Sequence, residues 1–66
     1  MPVISVEIGK ISKEQKTELI RSFTRTAVEI TKIPQSAFTV IINEIPDENI
    51  GVGGETVEEI KIRLGR

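Results

Sequence analysis

A β-strand opens the chain in the run Val3-Ile4-Ser5-Val6-Glu7-Ile8, where two sets of side chains alternate along the backbone. Ile4, Val6 and Ile8 fall on one face, and the residues between them fall on the other. Alternation of this kind among β-branched residues predicts a strand that is largely buried. The strand is therefore expected to pack against another element of the fold.

A long helix is predicted after this strand. Ser12-Lys13-Glu14-Gln15 has the spacing of a capping box, in which the side chains of the first and fourth residues satisfy free backbone N–H groups at a helix start. Apolar side chains then recur at three- and four-residue steps and form one stripe. The stripe consists of Leu19, Ile20, Phe23, Ala27, Val28 and Ile30. Ile33-Pro34 is expected to end the helix, because the residue before a proline is disfavoured in the α region.

A second strand is predicted in Phe38-Thr39-Val40-Ile41-Ile42-Asn43, whose apolar density suggests burial on both faces. The helix between the strands is long enough to make them parallel, so the expected fold is an α/β (α+β) β-α-β unit. Gly51-Val52-Gly53-Gly54 predicts a turn or hairpin. The tail from Thr56 to Leu64 is open between two predictions, because Ile60, Ile62 and Leu64 alternate as in a strand while residues 56–59 could open a short helix.

Length and composition point to self-assembly. Residues 1–66 are too short for more than a single domain, and a chain of this size is marginally stable alone. With no Cys and no His, neither a disulfide nor a structural zinc site is expected to stabilise it. One helix can cover only one face of the sheet, so the other face and the edges are expected to be covered by further copies.

The charge balance and hydropathy exclude several partners. Nine basic and ten acidic side chains give a net charge of −1, which argues against binding to nucleic acid or to an anionic membrane. No segment approaches the ~20 apolar residues of a membrane span, and no signal peptide precedes the first strand. No metal or cofactor is expected, and the absence of Cys fits a cytoplasmic protein.

Pro2 is the strongest candidate for chemistry. It follows Met1 directly, and a small residue at this position favours removal of the initiator methionine, which would leave Pro2 with a free secondary amine. An unperturbed α-amino group titrates near pH ~8, below any lysine, and a nearby cation or burial lowers its pKa toward the range of a general base. The other interpretation is that Pro2 simply begins a strand, where proline is tolerated.

The chain resembles the small-subunit members of the 4-oxalocrotonate tautomerase family. The resemblance covers almost the whole chain and rests on Met1-Pro2 leading into a strand, the helix segment 12–21, the strand Val40-Ile41-Ile42-Asn43-Glu44 and the segment 49–54. It implies a β-α-β protomer that dimerises into a four-stranded sheet with two helices, the dimers forming a homohexamer. It also implies an isomerase in which an N-terminal proline moves a proton within a small carbonyl or enol acid while cations hold the substrate carboxylate.

The resemblance assigns site residues only in part. Pro2 stands where the family has its catalytic base, and Lys10 is the nearest equivalent of a catalytic arginine before the helix, although lysine lacks the bidentate fork of arginine. Thr39 stands in the place of a second, substrate-binding arginine and offers one neutral hydrogen bond. Ile50 stands at an aromatic wall and keeps it apolar.

We therefore expect weak activity on a 2-hydroxymuconate-type substrate, because losing one donor to an oxyanion costs about 3 kcal/mol. Arg63, Arg66 or a helix arginine of another subunit are candidates for the missing cation. Lys10 could also be an ordinary loop lysine, and Thr39 an ordinary strand residue. Two alternatives to the isomerase stay open: a relative that uses the same proline for hydration or another carbonyl reaction, and a structural oligomer without catalysis.

Overall fold

Two parallel strands joined by a helix form the larger part of the fold in the computed structural model, which describes residues 1–65. Strand β1 spans Val3–Ile8, helix α1 spans Lys13–Thr31 and strand β2 spans Thr39–Glu44. The strands pair in parallel from Val3 opposite Thr39 to Ile8 opposite Glu44. This confirms the predicted β-α-β unit, with β2 shifted one residue along from its predicted bounds. Arg66, one of the candidates for a further cation, lies outside the described residues.

Helix α1 begins as the sequence predicts and ends slightly earlier. The Ser12 hydroxyl accepts a hydrogen bond from the Gln15 N–H at 3.1 Å, and the Gln15 side chain accepts one from the Ser12 N–H at 2.9 Å. At the other end, Lys32 adopts a left-handed conformation with φ of 63° and donates its N–H to the Val28 carbonyl. This cap ends the helix at Thr31, before the Ile33-Pro34 pair acts.

Only one face of the two-stranded sheet is covered. Ile4, Val6 and Ile8 are half-buried, whereas the residues between them are exposed. The predictions of a largely buried first strand and of burial on both faces of β2 are wrong for the single chain, since Ile41 stays 44% exposed. Along the helix stripe, Ile30 is 76% exposed. The second face of the sheet stays exposed because a single helix can pack against only one side of it.

The C-terminal segment is a hairpin followed by a helix. Strand β3 (Gly51–Val52) pairs antiparallel with β4 (Glu55–Thr56). The two turn residues, Gly53 and Gly54, have positive φ angles of 61° and 87°, as a type I′ turn requires. Helix α2 spans Val57–Arg63 and starts with a second capping box, in which the Thr56 hydroxyl accepts from the Glu59 N–H at 3.0 Å. The tail is therefore a helix, and the strand interpretation of its alternating residues is wrong.

The chain is elongated for its length. Its radius of gyration is 15.5 Å and its extents are 45 × 24 × 15 Å. A compact chain of this size would have a radius of gyration of about 11 Å. None of the residues 1–65 is fully buried. Both observations favour the prediction that further copies cover the open surfaces.

Candidate active site

Pro2 is held at the start of the sheet. Its carbonyl accepts a hydrogen bond of 3.1 Å from the backbone N–H of Thr39, the first residue of β2. Pro2 is half-buried and stands immediately before β1, where the missing proline N–H removes no bond from the ladder. The backbone therefore fixes the position of the Pro2 ring relative to both strands.

Thr39 lies beside Met1, the residue whose carbonyl is bonded to the Pro2 nitrogen. Its hydroxyl is 3.8 Å from the sulfur of Met1, and its side chain is exposed. Met1 itself is 94% exposed. Of the four site residues predicted from the sequence, Pro2 and Thr39 are the two that lie close together in the single chain.

Lys10 lies at the opposite end of β1. The six residues of this strand separate Lys10 from Pro2, and at ~3.3 Å per residue they span about 20 Å. The Lys10 side chain is exposed, and within residues 1–65 it makes neither a hydrogen bond nor an ion pair. One chain therefore does not bring the candidate base and the candidate cation together.

Ile50 is also far along the chain from Pro2. It is half-buried between β2 and the hairpin, where its N–H donates to the Asp47 carbonyl at 3.3 Å and its carbonyl accepts from the Val57 N–H at 2.8 Å. Because β1 and β2 are parallel, the chain leaves β2 at the sheet edge where Lys10 lies. Ile50 thus comes after the end of the sheet opposite to the end at which Pro2 and Thr39 lie.

Glu44 is a further charged residue at that edge, and the sequence analysis did not single it out. Its Oε1 accepts from the Lys16 ammonium at 2.8 Å, and its Oε2 accepts from the Ile11 N–H at 3.0 Å. The pKa of Glu44 is lowered, first by the hydrogen bond from Lys16 and then by the one from Ile11, with the nearby charge of Lys10 adding to the effect. No local motif could have revealed these contacts, since the partners lie 28 and 33 positions away in sequence.

Three surface depressions are lined by residues of α1, and none of these three is lined by Pro2, Lys10, Thr39 or Ile50. Within residues 1–65, no group of three or more acidic side chains is arranged to hold a metal ion. No helix within residues 1–65 is both long and apolar enough to cross a membrane.

Comparison with known proteins identifies the class of protein. The sequence model of the family described as "Tautomerase enzyme" matches residues 2–60, so the match begins at Pro2. The chain therefore belongs to the tautomerase family, and its relatives place it among the isomerases related to 4-oxalocrotonate tautomerase.

Three similar proteins illustrate this membership. A probable tautomerase of Campylobacter jejuni is 32% identical over 68 aligned positions that cover 100% of both chains. The 2-hydroxymuconate tautomerase of Stutzerimonas stutzeri is 36% identical over 62 positions, covering 91% of this chain and 97% of that one. A solved 4-oxalocrotonate tautomerase from Chloroflexus aurantiacus, described as a heterohexamer, matches with a TM-score of 0.83 at 30% identity over 91% of this chain and 98% of that chain.

These comparisons confirm the family resemblance, the fold class and the isomerase prediction. The relatives include a small oligomer, and their names refer to tautomerase activity. The roles of Pro2, Lys10, Thr39 and Ile50 stay predictions.

Proposed function

We propose that this isomerase moves a proton within a small enol or keto acid, with the amine of Pro2 as the general base after removal of Met1. The observation that carries the proposal is the position of Pro2, which immediately precedes β1 and is fixed by the 3.1 Å bond from Thr39 to its carbonyl. The family match that begins at Pro2 supports the same starting point for the functional chain. The sequence contains no His and no Cys that could serve as the base instead.

The proposed reaction conserves the proton. The neutral Pro2 amine removes a proton from the carbon next to the carbonyl of a keto acid, or from the oxygen of an enol acid, and becomes an ammonium. The ammonium then gives the proton to a different atom of the resulting enolate or dienolate, a carbon in ketonisation, so the amine is neutral again and the product has the same charge as the substrate. An α-amino group, whose ordinary pKa is ~8, can both take up and release a proton close to neutral pH.

Lys10 is the proposed cation for the substrate carboxylate and the developing negative charge. Because β1 separates it from Pro2 by about 20 Å within one chain, the two groups of one site come from different copies in this proposal. We propose a homohexamer built as a trimer of dimers. The elongated chain with no fully buried residue among residues 1–65 supports assembly, and a relative described as a heterohexamer supports this number.

Thr39 and Ile50 are the proposed substrate-binding residues. When Met1 is removed, the space beside the Thr39 hydroxyl becomes available to a ligand at the Pro2 nitrogen, because that hydroxyl now faces the Met1 sulfur. Thr39 then offers one neutral hydrogen bond, and Ile50 offers an apolar surface. A neutral residue next to the base favours a substrate with one carboxylate over a dicarboxylate such as 2-hydroxymuconate.

The proposal also includes the setting of the protein. We propose that residues 1–66 act as one domain and that the protein works in the cytoplasm, which its Cys-free composition supports.

Ketonisation of phenylenolpyruvate tests the role of Pro2. Mass spectrometry first establishes that the purified chain lacks Met1. Pro2→Ala, which is also expected to lose Met1, should then reduce kcat/KM at least about tenfold, since a positioned base contributes at least that much. Ser5→Ala is the matched control, because Ser5 is exposed on β1 and away from the chain start. Equal rates for Pro2→Ala and the unchanged protein would reject proline catalysis.

A further inference from the structure

Three charged residues lie in the region where β1 leads into α1. Glu44 ends β2, Lys10 follows β1, and Lys16 lies in the first turns of α1. Both carboxylate oxygens of Glu44 are engaged: Oε1 accepts from the Lys16 ammonium at 2.8 Å, and Oε2 accepts from the Ile11 N–H at 3.0 Å. The Glu44 carboxylate therefore binds Lys16 and the backbone N–H that directly follows Lys10 in the chain.

Lys10 is the lysine that stays outside this network. Lys10 lies between Ile8, which pairs with Glu44 in the sheet, and Ile11, whose N–H binds Glu44, so its backbone lies close to this carboxylate. The charge of Lys10 also adds to the lowering of the pKa of Glu44. Within the described chain it nevertheless makes no ion pair and no hydrogen bond, and its side chain is exposed. Lys16, in contrast, is half-buried and held in contact with Glu44.

We infer that Glu44 and Lys16 are positioning residues: Glu44 fixes the loop that carries Lys10, and Lys16 occupies Glu44 so that the Lys10 ammonium is left for an anionic substrate. This inference rests on the proposed role of Lys10. The Ile11 N–H bond ties the residue next to Lys10 to the end of β2, and that bond uses the carboxylate oxygen that Lys16 does not take. Without Lys16, Oε1 has no partner in the network, and Lys10 is the neighbouring cation.

Lys16→Gln is the decisive variant. Glu44 is then expected to capture Lys10, which raises KM for phenylenolpyruvate about three- to fivefold and changes kcat less than about twofold, as loss of an exposed charge contact does. The double variant Lys16→Gln/Glu44→Gln should return KM to the wild-type value, because the uncharged amide no longer competes for Lys10. Lys16→Arg retains the cation and should keep the wild-type KM.

Two controls separate this effect from net charge and from general damage. Lys13→Gln makes the same charge change at an exposed position one turn earlier on α1 and should leave KM unchanged. The methyl ester of phenylenolpyruvate, which has no carboxylate, should show the same KM with every variant. A rise in KM for the ester, or a double variant that does not recover, would mean that Lys16 acts only through the fold and would overturn the inference.

Lys10→Gln distinguishes this inference from the proposed function. If Lys10→Gln raises KM for phenylenolpyruvate while Lys16→Gln does not, Lys10 keeps its role and the inference is wrong. If Lys10→Gln has no effect, both the role of Lys10 and the inference are wrong. Should Lys16→Gln fail to fold, ¹⁵N-lysine NMR of the unchanged protein decides the question. As Glu44 is titrated, the Lys16 Nζ signal should shift more than the Lys10 Nζ signal. A larger shift of the Lys10 signal would overturn the inference.

Discussion

Replacing Thr39 with arginine is expected to raise kcat/KM for a dicarboxylate enol acid about five- to tenfold. The substitution leaves the backbone contact of this residue intact, because the bond to the Pro2 carbonyl uses the main-chain N–H. The Thr39 side chain is exposed, so the change in the free energy of unfolding should stay within ~0.5 kcal/mol. The new guanidinium would stand beside the chain start, where the hydroxyl now lies 3.8 Å from the Met1 sulfur.

The expected gain follows from the exposure of this position. A hydrogen bond to a charged group is worth ~1.5–3 kcal/mol, but an exposed ion pair is worth only ~0–1 kcal/mol. Thr39 is exposed in the single chain, so we take a gain of about 1–1.4 kcal/mol between these ranges. Since ~1.4 kcal/mol corresponds to a factor of ten, the gain in kcat/KM is about five- to tenfold.

The assay compares 2-hydroxymuconate, which has two carboxylates, with phenylenolpyruvate, which has one. The gain should be confined to the dicarboxylate and should shrink as salt is added. Asn43→Arg is the matched control: Asn43 is exposed on the same side of β2, four positions or about 13 Å further along. An equal gain in this control, or no gain in Thr39→Arg, would show that residue 39 does not face the second carboxylate.

Two further predictions concern the C-terminal helix. The pKa of Glu59 is lowered from its ordinary value of 4.5, first by the Thr56 backbone hydrogen bond and then by the Thr56 hydroxyl. The folded chain thus binds this proton less readily than the unfolded chain, so the stability it contributes is present above pH ~4.5 and is lost as the pH falls. Glu59→Gln should flatten this acid dependence, measured by urea unfolding at several pH values. Thr56→Ala should lower the free energy of unfolding by ~1 kcal/mol through loss of the cap. Thr17→Ala, which removes a hydroxyl from the second turn of helix α1, should change it by less than ~0.5 kcal/mol in the same assay. Equal losses would contradict the capping role.

The larger elements of the fold could be predicted because each has a local signal. The alternation in residues 3–8 gives β1, the capping box at Ser12 gives the start of α1, and the glycines after Val52 give a turn that needs positive φ. The tail shows where two local signals conflict. Ile60, Ile62 and Leu64 alternate as in a strand, but the second capping box starts a helix. The same spacing that identified α1 was present there and could have decided the question.

The arrangement of the candidate site was harder to predict because it depends on contacts between distant parts of the chain. The sequence places Lys10 only eight positions after Pro2, and the extended strand between them turns this short spacing into a large distance. Glu44 was missed for the opposite reason, since its partners Lys16 and Ile11 are far away in sequence and close in space. The place of Thr39 beside Pro2 follows from the parallel register, which the sequence alone did not specify.

The separation of Pro2 and Lys10 by the length of β1 has a genetic consequence. If every catalytic centre draws its base from one protomer and its cation from a neighbour, two different inactive variants can complement each other. Co-expression of Pro2→Ala with Lys10→Gln would then yield mixed particles in which some centres contain both intact groups. A cell that carries two damaged alleles of such a gene would retain part of the activity that neither allele supplies alone.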